Sequence, residues 1–182
     1  MTKVEKDINV SELIKKRKYD TMVKQGYLSL LMRIIIFVIV GYLLFTQVFL
    51  LMRNTGLGMF PSLKDGDLIL AYRLQNEYTK DDVVVYQVDN TLVIGRIVAT
   101  EHDVVTMDES GTLLVNGTAQ SGEIIYPTYA KEGIEYPYKV PEGNVFILGD
   151  YRTEADDSRD YGSISLDDLE GKVITFLRRR GI

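Results

Sequence analysis

The 182-residue chain contains no cysteine and a single histidine, His102. Without thiols it can build neither a disulfide framework nor a thiolate metal site. With one imidazole, any mechanism or metal centre that needs two is excluded. No metal-ligand spacing is present, and neither a cofactor nor a nucleic-acid partner is expected. Charge is also missing where it is most telling: Ile34 to Met52, "IIIFVIVGYLLFTQVFLLM", carries none. As a helix this run extends roughly 28 Å, close to the thickness of a bilayer's hydrocarbon core.

The remaining charge is unevenly placed. Residues 1–33 hold a net excess of four positive charges, so the rest must carry −9 against a chain total of −5. Lys15, Lys16, Arg17, Lys18, Lys24 and Arg33 precede the apolar run, and the positive-inside rule then places residues 1–33 in the cytoplasm, 34–52 across the membrane as an uncleaved anchor, and 53–182 outside. The run "KKRK" at 15–18 reads as a topology signal or as a short helix on anionic lipid, with Ser11 as its N-cap. A second basic run, Arg178 to Arg180, reads as an exposed tail or a headgroup contact.

Past residue 53 the hydrophobic period changes to about two. Strands are predicted over 67–74, 82–88, 92–100, 103–107, 112–117, 144–149 and 172–178, separated by turns such as "DESG" at 108–111. This is an all-β pattern. Residues 118–142 alternate less clearly and form a small insertion or cap, whose Tyr126, Tyr129, Tyr136 and Tyr138 either bind a peptide or cover a small core. Asn116-Gly117 has the chemistry of a hairpin turn.

Three collinear blocks behind the apolar run resemble those of the type I signal peptidases of Gram-positive bacteria, which are S26-like. "GLGMFPSLKDGD" (56–67) is similar to that family's G-x-S-M-x-P-T-L followed by Gly-Asp, with Gly58 at the nucleophile position. "DDVVVYQVDNTLVIGRIVA" (81–99) is similar to the block ending in Lys-Arg, with Gly95 at the lysine position and Arg96 retained. "GDYRTEADDSR" (149–159) resembles G-D-N-R-x-x-S-x-D-S-R, with Tyr151 and Ala155 replacing asparagine and serine. The resemblance implies a coiled β-sheet or barrel domain behind one transmembrane helix. It implies a scaffold role for Asp67, Arg96, Asp150, Arg152, Asp157, Ser158 and Arg159, without fixing which of these charges pair. It also implies a peptide groove along Gly56, Leu57, Gly58, Met59 and Pro61 and along Val83, Val84, Val85 and Tyr86.

Members of that family use a Ser/Lys dyad, and glycine supplies neither hydroxyl nor amine. The chain is therefore expected not to be an enzyme. It resembles the signal-peptidase-like proteins encoded with pilus genes, which lack one or both dyad residues. That subgroup implies a membrane-anchored chaperone or scaffold for pilin subunits, a class C sortase, or both, with membrane lipid as its support. A decoy that only binds signal peptides is a further reading. The rival from another class is an active serine endopeptidase with a relocated nucleophile, drawn from Ser62 or Thr55 with Lys64, Lys80 or His102 as base.

Overall fold

The computed structural model describes residues 3–120, 124 and 126–178, with side chains from Val10 onward. The chain divides between Thr46 and Gln47 into two compact units.

The first unit is one helix, α1, Lys3–Val48. No proline precedes Pro61, so nothing interrupts it, and Ser11 and the "KKRK" run lie inside α1 instead of opening a separate helix. Many of its apolar side chains are strongly exposed, among them Phe37, Tyr42 and Leu44. A helix apolar on every side belongs in lipid or in a core, and α1 is long and apolar enough to cross a membrane. The helical part of the apolar run stops at Val48. Phe49–Arg53, expected mainly as the end of the span, is strand β1, hydrogen-bonded antiparallel to β2 (Leu68–Tyr72). A short continuous apolar run suits a buried strand as well as a helix, and the β2 partner decides it here.

The second unit is built of strands, as the alternation predicts. After β1 and β2 come β3 (Val83–Val88), β4 (Thr91–Ala99), β5 (Val104–Met107), β6 (Leu113–Val115), β7 (Thr118–Ala119), β8 (Tyr138–Lys139), β9 (Asn144–Leu148), β10 (Ile164–Ser165) and β11 (Leu169–Leu177). Seven of them form a sheet in the order β1-β2-β11-β3-β4-β9-β10, and four form a smaller one, β7-β6-β5-β8. Between β9 and β10 lies a single helical turn, α2 (Ser158–Tyr161). The 118–142 region supplies β7 and β8, the edges of the smaller sheet, and Asn116 with φ +52° makes the tight turn joining β6 to β7.

The larger sheet is covered on both faces. Val85 of β3 packs with Met59, Leu63, Ile69 and Ile94, whereas Val84 and Tyr86 pack on the other side with Ile97, Val145 and Ile147. A third cluster under the smaller sheet joins Val98, Val105, Val140, Phe146 and Leu148. Each fully buried Val, Ile, Leu or Phe stabilises the fold by about 1.5–3 kcal/mol, so these clusters fix the frame on which the loops sit. Tyr138 belongs to this frame, its ring 5.4 Å from that of Phe146 and its hydroxyl 2.9 Å from that of Ser163.

Candidate functional site

The loop from Asn54 to Asp67 is pinned at both ends. The Asn54 N–H donates to the Asp67 carbonyl at 2.8 Å and its side-chain amide to the Lys64 carbonyl at 2.9 Å. The Asp67 carboxylate, 2 % exposed, accepts from the Lys64 N–H and from the Arg178 guanidinium, tying the loop to the residue after β11. The Arg178 hydrogen bond holds the Asp67 carboxyl below its ordinary value, against the effect of burial. In the middle of the loop the Gly58 carbonyl accepts from the Tyr151 N–H at 3.0 Å. Residue 149 must be glycine for this approach, because a Cβ there would come within 2.6 Å of the Gly58 oxygen.

Beside Gly58 runs a groove of about 150 Å³, lined by Asn54, Thr55, Gly58 and Met59 on one side and by Thr91 to Ile94 on the other. The second wall has free backbone. Strand β4 is paired with β3 along Thr91–Arg96, but β9 joins its opposite edge only at Arg96 to Ala99. Among the described residues, Thr91 to Ile94 thus have no strand on that side, and an unpaired edge of this kind accepts an extended peptide through its N–H and C=O groups.

The expected groove residues are only partly brought together. Gly58 and Met59 line it; Gly56, Leu57 and Pro61 lie exposed on the same loop without lining it. Val83 to Tyr86 are elsewhere, since β3 is flanked by β4 and β11 and Val84, Val85 and Tyr86 are buried in core clusters. Val83, half-buried at the start of β3, lines a different cavity, which it shares with Ser62 and Arg96. The wall that sequence reasoning missed, Thr91 to Ile94, had one signal: a nine-residue β4 beside a five-residue β9 must leave part of its edge unpaired.

The two motif glycines differ in their surroundings. A Cβ at Gly58 would meet the Ala155 Cβ at 3.7 Å, an ordinary contact. A Cβ at Gly95 would overlap Ile147 Cγ2 and lie 3.1 Å from Tyr86 Cε1, so the place a longer side chain would occupy is already filled.

Across the loop from the groove stands a buried polar cluster. Asp150 is fully buried, accepts two hydrogen bonds from Arg96 (Nε at 2.8 Å, Nη2 at 2.7 Å) and accepts the Ser62 hydroxyl at 2.5 Å. Arg152, the other basic scaffold residue of this motif, donates to Thr128 Oγ1 at 2.8 Å and Gln120 Oε1 at 3.4 Å. Asp157 and Arg159 form a second two-pronged pair, both nearly inaccessible, and Asp157 also accepts the Gly149 N–H and caps α2. Ser158 Oγ accepts the Ile147 N–H at 2.9 Å. Of the hydroxyls considered as relocated nucleophiles, Ser62 has a partner, and it is the carboxylate of Asp150, not Lys64, Lys80 or His102. Of the basic tail, Arg178 is engaged with Asp67 and over the Phe176 ring, while residues 179 and 180 lie outside the described residues.

Known proteins match this chain over much of its length. The model of the family described as "Signal peptidase, peptidase S26" covers residues 27–177. The chain is 33 % identical over 132 residues to a probable thylakoidal processing peptidase 2 of Arabidopsis thaliana, a match taking in 64 % of this chain and 34 % of that one. It is 31 % identical over 117 residues to a signal peptidase I of Bacillus licheniformis (57 % and 62 %), and 30 % identical over 139 residues to a signal peptidase IB of Staphylococcus aureus (65 % and 72 %). It therefore spans about a third of the length of the thylakoidal relatives. A crystal structure of a signal peptidase I from Enterococcus faecalis aligns with 55 % of this chain and 98 % of its own at 25 % identity and a TM-score of 0.46.

These relatives are named as peptidases, which overturns the expectation that the chain is not an enzyme. Two glycines remove two side chains; they do not remove every hydroxyl, and the fold keeps one in contact with a buried carboxylate. Since the matched region runs from within α1 through the last strand, the chain belongs to the signal peptidase family, peptidase S26.

Proposed function

We propose that the chain is a membrane-tethered endopeptidase that acts on extended segments of exported proteins. The observation that carries this reading is the free edge of β4 at Thr91 to Ile94, facing the Asn54–Met59 loop across a groove sized for a main chain. A peptide laid there gains affinity from backbone hydrogen bonds and selectivity from shallow side-chain pockets. In this reading α1 crosses the bilayer with its basic end in the cytoplasm, so the sheet domain works outside, where exported chains emerge.

Gly58 and Gly95 cannot attack or take a proton, so hydrolysis is assigned to Ser62 and Asp150. The Ser62 hydroxyl attacks the scissile carbonyl as its proton passes to Asp150, which returns it to the leaving amine as the C–N bond breaks. Water, giving its proton to Asp150, then attacks the acyl group and frees Ser62, which takes that proton back, while Arg96 holds the carboxylate in position. The scissile bond then lies past the end of the β4 edge, where the loop passes from the groove to the pocket that Ser62 lines. A carboxylate is by nature a far weaker base than an amine. Turnover is accordingly expected to be slower by about 10²–10⁴ than with a neutral amine in that role, the usual range of a well-matched general base. The partners implied by the motif resemblance are pilin subunits and a class C sortase, and cross-linking in cells followed by mass spectrometry tests for them.

The deciding experiment uses the full chain in liposomes with a synthetic signal-peptide substrate, followed by mass spectrometry. Slow cleavage at one position is expected, lost in Ser62→Ala and equally in Asp150→Asn. No cleavage by the parent chain, or cleavage indifferent to Ser62→Ala, overturns the proposal.

A further inference from the structure

A second cavity, about 400 Å³, opens beside Ser62 and is lined by Arg152, Gln120, Thr128, Tyr126 and Thr112, with Asp81 and Arg96 among its other walls. Its unusual member is Arg152. The residue is 1 % exposed, and among the described residues it bonds to no carboxylate. Two of its five N–H groups meet neutral acceptors, the Thr128 hydroxyl and the Gln120 amide oxygen, and Nε is buried with no partner. The neighbouring carboxylates are committed: Asp150 to Arg96, Asp157 to Arg159. A guanidinium out of water with no ion pair of its own is costly, and here burial, only partly offset by the charges of Asp150 and Asp157, drives its pKa down to about 10.

Among the described residues, no carboxylate is hydrogen-bonded to this guanidinium. We propose that this cavity is a carboxylate subsite, in which Arg152 receives one carboxylate of a bound peptide. A monoanion fits better than a phosphate dianion, because of the two guanidinium groups in the wall that of Arg96 is already paired with Asp150, and Asp81 adds a carboxylate that repels a second negative charge. A planar carboxylate also matches the two-pronged geometry of a guanidinium, and Tyr126, whose ring lies 4.7 Å from that of Tyr151, supplies an aromatic wall for the adjoining chain. The carboxylate comes from an acidic side chain or from a chain terminus. The inference goes beyond the hydrolytic reading, and binding alone tests it.

The test is calorimetric titration of the full chain in detergent micelles with acetylated hexapeptides of one apolar sequence. One carries a C-terminal carboxylate, one a C-terminal amide, and two amidated forms carry internal Glu or Gln. A carboxylate is expected to strengthen binding about 10- to 100-fold over its amide counterpart, as for a charged hydrogen bond, and the stronger of the two acidic peptides identifies the source. In Arg152→Gln the preference is expected to vanish. Should that variant not fold, the Arg152 Nε–H resonance of the parent, assigned with Arg152→Lys, is expected to shift with the acidic peptide and not with the amide. Equal binding of acid and amide, a preference that survives in folded Arg152→Gln, or a resonance indifferent to the acid overturns the subsite. Cleavage without a carboxylate preference sinks this inference alone, and a preference without cleavage sinks the hydrolytic reading alone.

Discussion

Gly95→Ala and Gly58→Ser probe the same question from two sides: which motif position can take a side chain. At residue 95 the new methyl overlaps Ile147 Cγ2 and crowds Tyr86. Overpacking of this kind costs about 1–3 kcal/mol, offset by about 0.5–1 kcal/mol for replacing glycine within a strand. At the middle of each range the net loss is about 1.3 kcal/mol, between limits of about 0 and 2.5 kcal/mol. For a domain of about 130 residues the unfolding entropy is ~0.3 kcal/mol per kelvin, so the melting temperature falls by about 4 °C and by at most about 8 °C. At residue 58 the new Cβ finds Ala155 at 3.7 Å and no strained φ, and Gly58→Ser is expected to melt with the parent or up to about 2 °C above it. The assay is thermal unfolding of the full chain in detergent, followed by circular dichroism in the β-sheet region. Ile147→Ala, which clears the overlap, should make the cost of Gly95→Ala smaller than in the parent background, a coupling read from the double-mutant cycle. If Gly95→Ala melts with the parent, or Gly58→Ser falls as far, the packing account of these two positions is refuted.

Two further outcomes are expected. Asp157→Asn leaves the Arg159 guanidinium buried and uncompensated and weakens the cap of α2; a loss of about 3–5 kcal/mol should appear as a lower denaturation midpoint in urea, and an unchanged midpoint would show that the pair contributes nothing. The Asp67 carboxyl titrates below its ordinary 3.8 when folded, so its stabilisation is fully present above about pH 4 and is lost as pH falls through the lowered folded value. Asp67→Asn should therefore lower stability at pH 7 and flatten the acid limb below pH 4; an acid limb identical to the parent's contradicts the Asp67–Arg178 contact as its source.

Much of the sheet was legible because β-branched residues announce themselves. The runs predicted at 82–88 and 92–100 fold as β3 and β4 within one residue at each end. Phe49 to Arg53 was not, since unbroken hydrophobicity carries no period and only the β2 partner distinguishes strand from helix there. The two-residue strands β7, β8 and β10 are too short to leave any pattern. At the site, the loop carrying Gly58 was legible from its motif, but the second wall was not. Strand order puts β3 in the interior and leaves the start of β4 open, and order is a property of long-range pairing. The same reason explains Asp150: its nearest basic neighbour in sequence is Arg152, yet its partner is Arg96, brought across by the β4–β9 register.

Strand β11 lies between β2 and β3, with Lys172 opposite both Tyr72 and Val84. Two strands made roughly a hundred residues earlier must wait, side by side but unjoined, for residues 169–177 to fill the slot between them. A chain that crosses the membrane behind α1 cannot complete the larger sheet until residues 169–177 have emerged. Such late closure makes the two ends of this strand unequal in effect: trimming a few residues from its C-terminal end would release β2, while the pairing of Leu169 to Lys172 with β3 would remain.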